Sequence, residues 1–147
     1  MRESAAAYDA RRCYVESSAL LAALLEHDVK ALGTLRAAHQ LVTSALTSTE
    51  CHRGLVRARA AGRLSEDHAA DCAQALHTFF ARCTTIAVTA GILQRAGRPF
   101  AVEPIRTLDA IHLATAEALG DAPALTTMLT RDARVRDNAK TMGFAIA

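Results

Sequence analysis

The chain has 147 residues, of which 51% are hydrophobic and 22% are charged, and its formal net charge is +2. This length is typical of one domain with its own core, and this composition excludes a largely disordered chain. Only 4% of the residues are aromatic and none is Trp, so an aliphatic core is expected. The small net charge leaves nucleic-acid binding open, because a basic patch and an acidic cluster cancel in one total.

The cysteines and the lengths of the apolar segments favour a cytoplasmic protein. The four cysteines form no CxxC pair, so neither a zinc ribbon nor a redox motif is predicted, and the thiols are expected to be reduced. No segment reaches the roughly 18 uncharged apolar residues that a membrane span needs. The charged residues within 1–12 make a signal peptide there unexpected.

The hydrophobic pattern predicts strands that alternate with helices along residues 13–147, after an N-terminal arm at residues 1–12. In chain order, we expect a strand at 13–15, a helix from the Ser17 or Ser18 cap to 25, a helix at 29–39, a strand at 41–46, helices at 48–61 and 65–82, a strand at 84–88, helices at 90–96 and 107–119, a strand at 125–129, a helix at 132–142 and a strand at 144–147. Such alternation predicts an α/β fold with three layers, α/β/α, around a mostly parallel central sheet.

Four acidic residues lie where a hydrophobic segment gives way to the start of a helix: Glu16, Glu50, Asp109 and Asp132. Glu16, Glu50 and Asp132 each follow a predicted strand, so the topology alone assigns them to the carboxyl edge of the sheet, where ligands bind. A buried carboxylate must be solvated, paired or bound to metal. Because a bound Mg²⁺ or Mn²⁺ offsets the repulsion between clustered carboxylates, the pattern favours a metal site.

The same acids also fit a purely structural interpretation. An acid in the first turn of a helix complements the helix dipole, and the segment 47–50, TSTE, has the form of a capping box. Asp132 fits a plain N-cap, and Asp109 fits a first-turn acid behind a Thr107 cap. A structural or interaction domain that binds no divalent metal therefore remains open at this point.

Three segments resemble the PIN-domain nucleases, especially the VapC-like ribonuclease toxins: TLDAIHLATA at 107–116, LTRD at 129–132 and YVESSAL at 14–20. The resemblance covers the chain from about Cys13 to its end. It implies a PIN-like domain at residues 13–147 that acts as a metal-dependent endoribonuclease. It also implies Mg²⁺ or Mn²⁺ as the cofactor, RNA as the substrate, an antitoxin protein as a partner in a toxin-antitoxin pair, and a homodimer.

Carried over position by position, the resemblance implies that the catalytic and metal-binding residues are Glu16, Glu50, Asp109 and Asp132, with Ser18 and Thr130 as polar supports. The chain departs from the family at Glu16, where Asp is usual. The extra methylene displaces the carboxylate, and Mg²⁺ demands near-ideal octahedral geometry. The alternative is therefore a degenerate PIN-like domain that binds RNA or a protein partner without cleaving.

Several other residues are candidates for the site or its surroundings. Arg53 and Arg57 follow Glu50 on one side of a predicted helix, and together with Arg131 and Arg134 they are candidates for binding RNA phosphates; a solvated basic face is the alternative. His112 is either a ligand or a core or supporting histidine, and the second interpretation is favoured because a hard oxygen site does not call for imidazole. Apolar helices at 18–39 and 65–82 are candidates for an antitoxin groove or a self-association surface.

Overall fold

The computed structural model describes residues 12–147, which form five strands and seven α-helices. The expected arm falls on residues that are, apart from Arg12, outside the described part of the chain. The elements are β1 (Arg12–Val15), α1 (Ser17–Leu25), α2 (Val29–Ala37), β2 (Gln40–Ser44), α3 (Ala45–Ala60), α4 (Glu66–Arg82), β3 (Cys83–Ile86), α5 (Ala90–Ala96), α6 (Thr107–Glu117), β4 (Thr126–Leu129), α7 (Ala133–Thr141) and β5 (Ala145–Ile146). A 3₁₀ turn at Pro123–Leu125 precedes β4.

The strands form one parallel sheet in the order β3-β2-β1-β4-β5, with helices on both faces. Successive side chains of a strand point to opposite faces, and β1 shows this directly. Cys13 and Val15 pack into a core with α1 to α4, whereas Tyr14 packs into a second core with α5 to α7. The predicted three-layer α/β/α architecture is therefore confirmed, and its core is mainly aliphatic.

The direction in which the chain winds reverses at β1. The chain runs from β1 outward to β2 and β3 with α1 to α4 on one face, and then returns to β4 and β5 with α5 to α7 on the other face. The carboxyl ends of β1 and β4 are in register, because Val15 pairs with Leu129. The backbone N–H of Glu16 donates to the carbonyl of Leu129 at 3.0 Å. Ligands of open α/β sheets bind in the crevice at such a reversal point.

One helix boundary differs from the prediction in a way that matters for Glu50. Helix α3 begins at Ala45, because the Ser44 hydroxyl caps it by accepting from the N–H of Leu46 at 3.1 Å. Ala45 and Leu46 have high helix propensity, so they extend α3 rather than β2. The expected strand at 41–46 was therefore too long, and Glu50 lies in the second turn of α3 rather than in a capping box.

Two other helix starts also differ from the prediction. Glu16 itself is the N-cap of α1, where Ser17 or Ser18 was expected. Arg106 occupies the N-cap position of α6 without a side-chain capping bond, and Thr107 is the first helical residue.

Within residues 12–147, none of the helices combines the length and the apolar composition that a membrane span requires.

Candidate active site

The four acids line one cleft of about 460 Å³ at the carboxyl edge of the sheet. They reach it from the end of β1, from α3, from the first turn of α6 and from the N-cap of α7. Arg53, Arg57 and Arg106 line the same cleft, so cationic side chains flank the acids. Acidic residues that are distant in sequence therefore lie together in one cleft.

The Glu16 carboxylate is buried and surrounded by hydrogen-bond donors, with only 3% of the residue exposed. Oε1 accepts from the Ser17 hydroxyl at 2.8 Å and from the backbone N–H of Ser18 at 3.1 Å. Oε2 accepts from the Thr130 hydroxyl at 2.8 Å and from the Ser18 hydroxyl. These four hydrogen bonds hold the Glu16 carboxylate in one orientation at the base of the cleft.

Ser18 and Thr130, the two expected supporting residues, connect Glu16 to the β4–α7 connection. The Ser18 hydroxyl oxygen accepts from the backbone N–H of Arg131 at 2.9 Å, and the Thr130 hydroxyl oxygen accepts from the backbone N–H of Asp132 at 3.1 Å. Each hydroxyl therefore donates to the Glu16 carboxylate and accepts from a backbone N–H of the β4–α7 connection. This arrangement fixes the ends of β1 and β4 relative to each other.

Glu50 reaches the cleft from α3 and is held by a buried histidine. Its Oε1 lies 2.6 Å from His112 Nε2, and the other ring nitrogen, Nδ1, lies 2.8 Å from the Tyr14 hydroxyl. Nε2 of His112 is also 4.0 Å from Glu16 Oε1. The side chains of Glu16, Glu50 and His112 can each contribute one ligand atom to a group whose atoms all lie within 4.8 Å of one another.

Asp109 and Asp132 are joined by the guanidinium of Arg106. Nε of Arg106 donates to Asp109 Oδ2 and its NH2 group donates to Asp132 Oδ2, each at 2.9 Å. The hydrogen bond to Asp109 is the main reason why the pKa of Arg106 lies above its ordinary value. Asp109 is buried, but the Arg106 side chain is 65% exposed, so its guanidinium can leave the two carboxylates at little cost in desolvation.

The capping interpretation holds for some of the acids but does not account for the cluster. Asp132 caps α7, since its Oδ1 accepts from the N–H groups of Arg134 and Val135, while its Oδ2 faces the cleft. Glu16 caps α1 through Ser18. Glu50 has no capping role, because α3 begins five residues earlier at Ala45. Capping and a shared acidic site are therefore compatible.

The residues of the cleft fit a divalent cation. Carboxylate oxygens are the ligands that hard cations such as Mg²⁺ prefer, and four carboxylates in one cleft supply more negative charge than Arg106 alone offsets. Glu16 and Glu50 lie within reach of one ion, and Asp109 and Asp132 form the adjoining wall. The donor set therefore suits a divalent metal and gives no reason to expect a soft one.

The four candidate arginines are in different surroundings. Arg53 and Arg57 are exposed on α3 and line the cleft. Within residues 12–147, Arg131 and Arg134 are not among the residues that line it. The guanidinium of Arg131 binds Asp28 through Nε at 2.6 Å and NH2 at 3.2 Å, and it also donates to the carbonyl of Ala147. An RNA-binding role for Arg131 and Arg134 stays a prediction.

Asp28→Asn is expected to lower the free energy of unfolding at pH 7, by an amount that shrinks as the pH falls below about 4. The hydrogen bonds from Arg131 lower the pKa of Asp28 in the folded protein. Stability from the ionised carboxylate is therefore present above the pKa of the unfolded state and lost as the pH falls through that of the folded state. Asn keeps the cap of α2, so the change isolates the charge.

The measurement is the urea midpoint of wild type and Asp28→Asn at a series of pH values. Asp67→Asn is the matched control, because Asp67 is exposed in the first turn of α4. A loss of stability that is the same at every pH would contradict the ion-pair explanation.

The sequence analysis missed Arg106, which lines the cleft, and the buried Tyr14, and it undervalued the buried His112. Arg106 precedes Asp109 by three residues, a spacing typical of a helical ion pair, so this pairing was detectable in the sequence. Tyr14 is separated from His112 by 98 positions, and nothing in the sequence pairs them. His112 was considered as a supporting histidine, and its contact with Glu50 gives that interpretation a specific partner.

The fold and the acidic cleft can be assigned to one class of protein. Residues 13–141 match the family model described as PIN domain. The chain belongs to the PIN-domain family, as the resemblance of its motifs implied. It is 38% identical over 139 residues to Ribonuclease VapC46 of Mycobacterium tuberculosis, an alignment that covers 90% of this chain and 94% of that protein.

Two solved structures share the fold. VapBC2 from Rickettsia felis, solved bound to a DNA fragment from its promoter, has a TM-score of 0.62 at 12% identity; the match covers 92% of this chain and 97% of that one. PAE2754 from Pyrobaculum aerophilum has a TM-score of 0.63 at 20% identity, with coverage of 93% and 83%. These structures support the architecture, while the family assignment rests on the sequence matches.

Proposed function

We propose that this protein is a Mg²⁺- or Mn²⁺-dependent endoribonuclease and the toxin of a toxin-antitoxin pair. The observation that carries the proposal is the convergence of Glu16, Glu50, Asp109 and Asp132 in one cleft beside exposed arginines. The 38% identity to a protein named Ribonuclease VapC46, over most of both chains, supports RNA as the substrate. A PIN-like domain at residues 13–147 is the catalytic unit in this proposal.

Glu16, Asp109 and Asp132 are the proposed metal ligands, and Glu50 either binds the metal, directly or through water, or orients the attacking water. When bound, a divalent ion polarises the scissile phosphate, lowers the pKa of a water molecule and stabilises the leaving oxygen. Ser18 and Thr130 keep the Glu16 carboxylate oriented toward the cleft. A hydrolysis of this kind needs no nucleophilic side chain and no covalent intermediate.

Arg53 and Arg57 are the proposed contacts to RNA phosphates on the α3 side of the cleft. Their exposure and their position beside the acids would allow them to bind the strand while the carboxylates bind the ion. Only 4% of the residues are aromatic, so few side chains are available to stack on bases. Recognition is therefore expected to depend on RNA shape and backbone. Phosphate contacts of this kind weaken with increasing salt concentration.

An apolar groove supports the proposed protein partner. A cleft of about 580 Å³ runs between α1, α2 and α4, and its lining includes Leu24, Leu25, Leu32, Leu64 and Cys72. A groove of this type accepts the apolar face of a helix, as an antitoxin segment or a second copy of the chain would offer. The structural neighbour VapBC2 supports an antitoxin as one partner, and a homodimer remains a proposal.

A reducing, cytoplasmic location is proposed from the cysteines. The four thiols are free in the described structure, and burial raises the pKa of Cys13 and Cys51 to about 12, which keeps these thiols protonated and unreactive.

The purified protein is expected to cut RNA at internal positions with Mg²⁺ or Mn²⁺ and to lose that activity in EDTA. Restoring either ion to the EDTA-treated sample should restore cleavage, as measured on a gel with end-labelled RNA. Protein carrying Asp109→Asn, purified in parallel, controls for a contaminating nuclease. Cleavage at the same rate in EDTA would reject a metal-dependent mechanism.

A degenerate domain that binds RNA or a partner without cutting is the second candidate. It is favoured by the full hydrogen-bond complement of Glu16, because each carboxylate oxygen already accepts from two donors. A metal ion bound by Glu16 would have to share those lone pairs with the donors or displace a hydroxyl. A purely structural domain would differ from both candidates, because calorimetric titration would then detect no divalent-metal binding.

A further inference from the structure

His112 is fully buried in the middle of α6, yet both of its ring nitrogens have polar partners. Tyr14 approaches from β1 and Glu50 from α3, so three separate elements meet at one imidazole. The Tyr14 and His112 rings pack edge to face, with centroids 6.0 Å apart. The proposed chemistry assigns no role to this buried pair. The hydrogen bond between this buried imidazole and the Glu50 carboxylate therefore links the pair to the cleft.

The contacts of His112 assign its tautomer. An ionised carboxylate only accepts hydrogen bonds, so the 2.6 Å contact with Glu50 requires the proton on Nε2. Burial, the largest cause, raises the pKa of Tyr14 well above its ordinary value, so the phenol keeps its proton. The Tyr14 hydroxyl then donates to Nδ1, which lies 2.8 Å away. A chain of two hydrogen bonds therefore runs from Tyr14 to Glu50.

We propose that Tyr14 and His112 are positioning residues that hold the Glu50 carboxylate beside Glu16 so that the two can bind one divalent cation. This inference rests on the proposed function. Glu50 lies on α3, and His112 lies on α6, which packs on the opposite face of the sheet. A glutamate side chain without a fixed partner has several rotamers. The buried imidazole fixes one of them. Groups that hydrogen-bond a metal ligand in this way typically change metal affinity about 10- to 100-fold when removed.

Direct binding of the ion by His112 fits the contacts less well. Nε2 would have to give up the proton that it donates to Glu50, and the Tyr14 hydroxyl would have to turn from donor to acceptor. A hard cation gains little from an imidazole when carboxylates are within reach.

The test is a titration of the purified protein with Mn²⁺, without RNA, followed by electron paramagnetic resonance. His112→Leu removes the donor and is expected to weaken Mn²⁺ binding by about 10- to 100-fold. His112→Gln returns an N–H donor near the Nε2 position and should restore most of the affinity. Tyr14→Phe removes one hydroxyl from a side chain of the same shape and should weaken binding by about a few fold, within the range expected for a more remote hydrogen bond.

Two further measurements distinguish positioning from a general structural effect. In a Glu50→Gln background, His112→Leu should cause no additional loss of Mn²⁺ affinity, because the group that it positions is already gone. Pulsed electron paramagnetic resonance of bound Mn²⁺ should show no coupling to a directly bound imidazole nitrogen. His77→Leu, at an exposed position on α4, is the matched control and should bind Mn²⁺ like wild type.

Wild-type Mn²⁺ affinity in His112→Leu, an additive loss in the Glu50→Gln background, or a directly bound nitrogen would each overturn the positioning role while leaving the nuclease proposal in place. If His112→Leu does not fold, the two other variants decide. Wild-type Mn²⁺ affinity in Tyr14→Phe together with strongly weakened Mn²⁺ binding in His112→Gln would also overturn the positioning role. A wild-type protein that binds no Mn²⁺ would overturn both proposals.

Discussion

Asp109→Asn is expected to lower the rate of RNA cleavage by about a thousandfold, since loss of a proposed metal ligand would remove several kcal/mol of charge stabilisation from the transition state. The change keeps the shape of a side chain that is buried at the start of α6. It removes the charge that pairs with Arg106, but a pair with a solvent-exposed partner contributes only about 0 to 1 kcal/mol. Activity should therefore fall while the thermal midpoint changes little.

Glu117→Gln is the matched control for this prediction. Glu117 lies on the same helix, is half-exposed, and pairs with Arg95 away from the cleft. Single-turnover cleavage rates at saturating Mg²⁺ compare the two variants, and circular dichroism checks their fold. A rate for Asp109→Asn within about threefold of wild type would contradict the proposed catalytic role of Asp109, since each factor of ten is only about 1.4 kcal/mol.

Glu16→Asp is expected to reduce cleavage by about 10- to 100-fold, although the resemblance to PIN-domain nucleases implies Asp at this position. The donors around Glu16 come from both α1 and the β4–α7 connection, and they fit the longer side chain. Shortening it by one methylene withdraws the carboxylate from Thr130, and a displacement of about 1 Å is enough to cost this much activity. Stability should fall by about 1 kcal/mol through the lost contact with Thr130.

The same variant separates the two candidate functions. Glu26→Asp, at the exposed end of α1, controls for the shorter side chain. Cleavage by wild type and weaker cleavage by Glu16→Asp support an enzyme adapted to Glu16. A wild-type protein that does not cleave, and that begins to cleave when Glu16→Asp is introduced, would instead establish the degenerate domain.

The order of strands and helices was predictable from sequence because each element carries its own periodicity and cap. The helix expected from residue 65, for example, begins there because the Ser65 hydroxyl caps α4 by accepting from the N–H of His68. Boundaries were less secure where one residue type suits two elements. Ala45 and Leu46 continue an apolar run that resembles a strand, but the Ser44 cap starts a helix there.

The proximity of Glu16, Glu50 and Asp132 was predictable because each follows a predicted strand, and the carboxyl ends of parallel strands meet at one edge. Asp109 follows no strand, and only the resemblance of its helix assigned it to the same site. Their mutual contacts were not predictable in the same way. The pairing of Tyr14 with His112 joins β1 to α6, and the bond from Arg106 to Asp132 spans 26 positions. Such contacts depend on how α6 packs against the sheet, which no local pattern specifies.

The bridge that Arg106 forms between Asp109 and Asp132 should allow these two carboxylates to pack together during folding without a bound ion. Two carboxylates that face each other without a counter-charge would repel and oppose the packing of α6 against α7. Because the chain carries its own counter-charge, newly synthesised protein can reach its native structure in a metal-poor environment. Chelation should consequently silence catalysis while leaving the melting curve nearly unchanged, so that loading with the ion is a step separate from maturation.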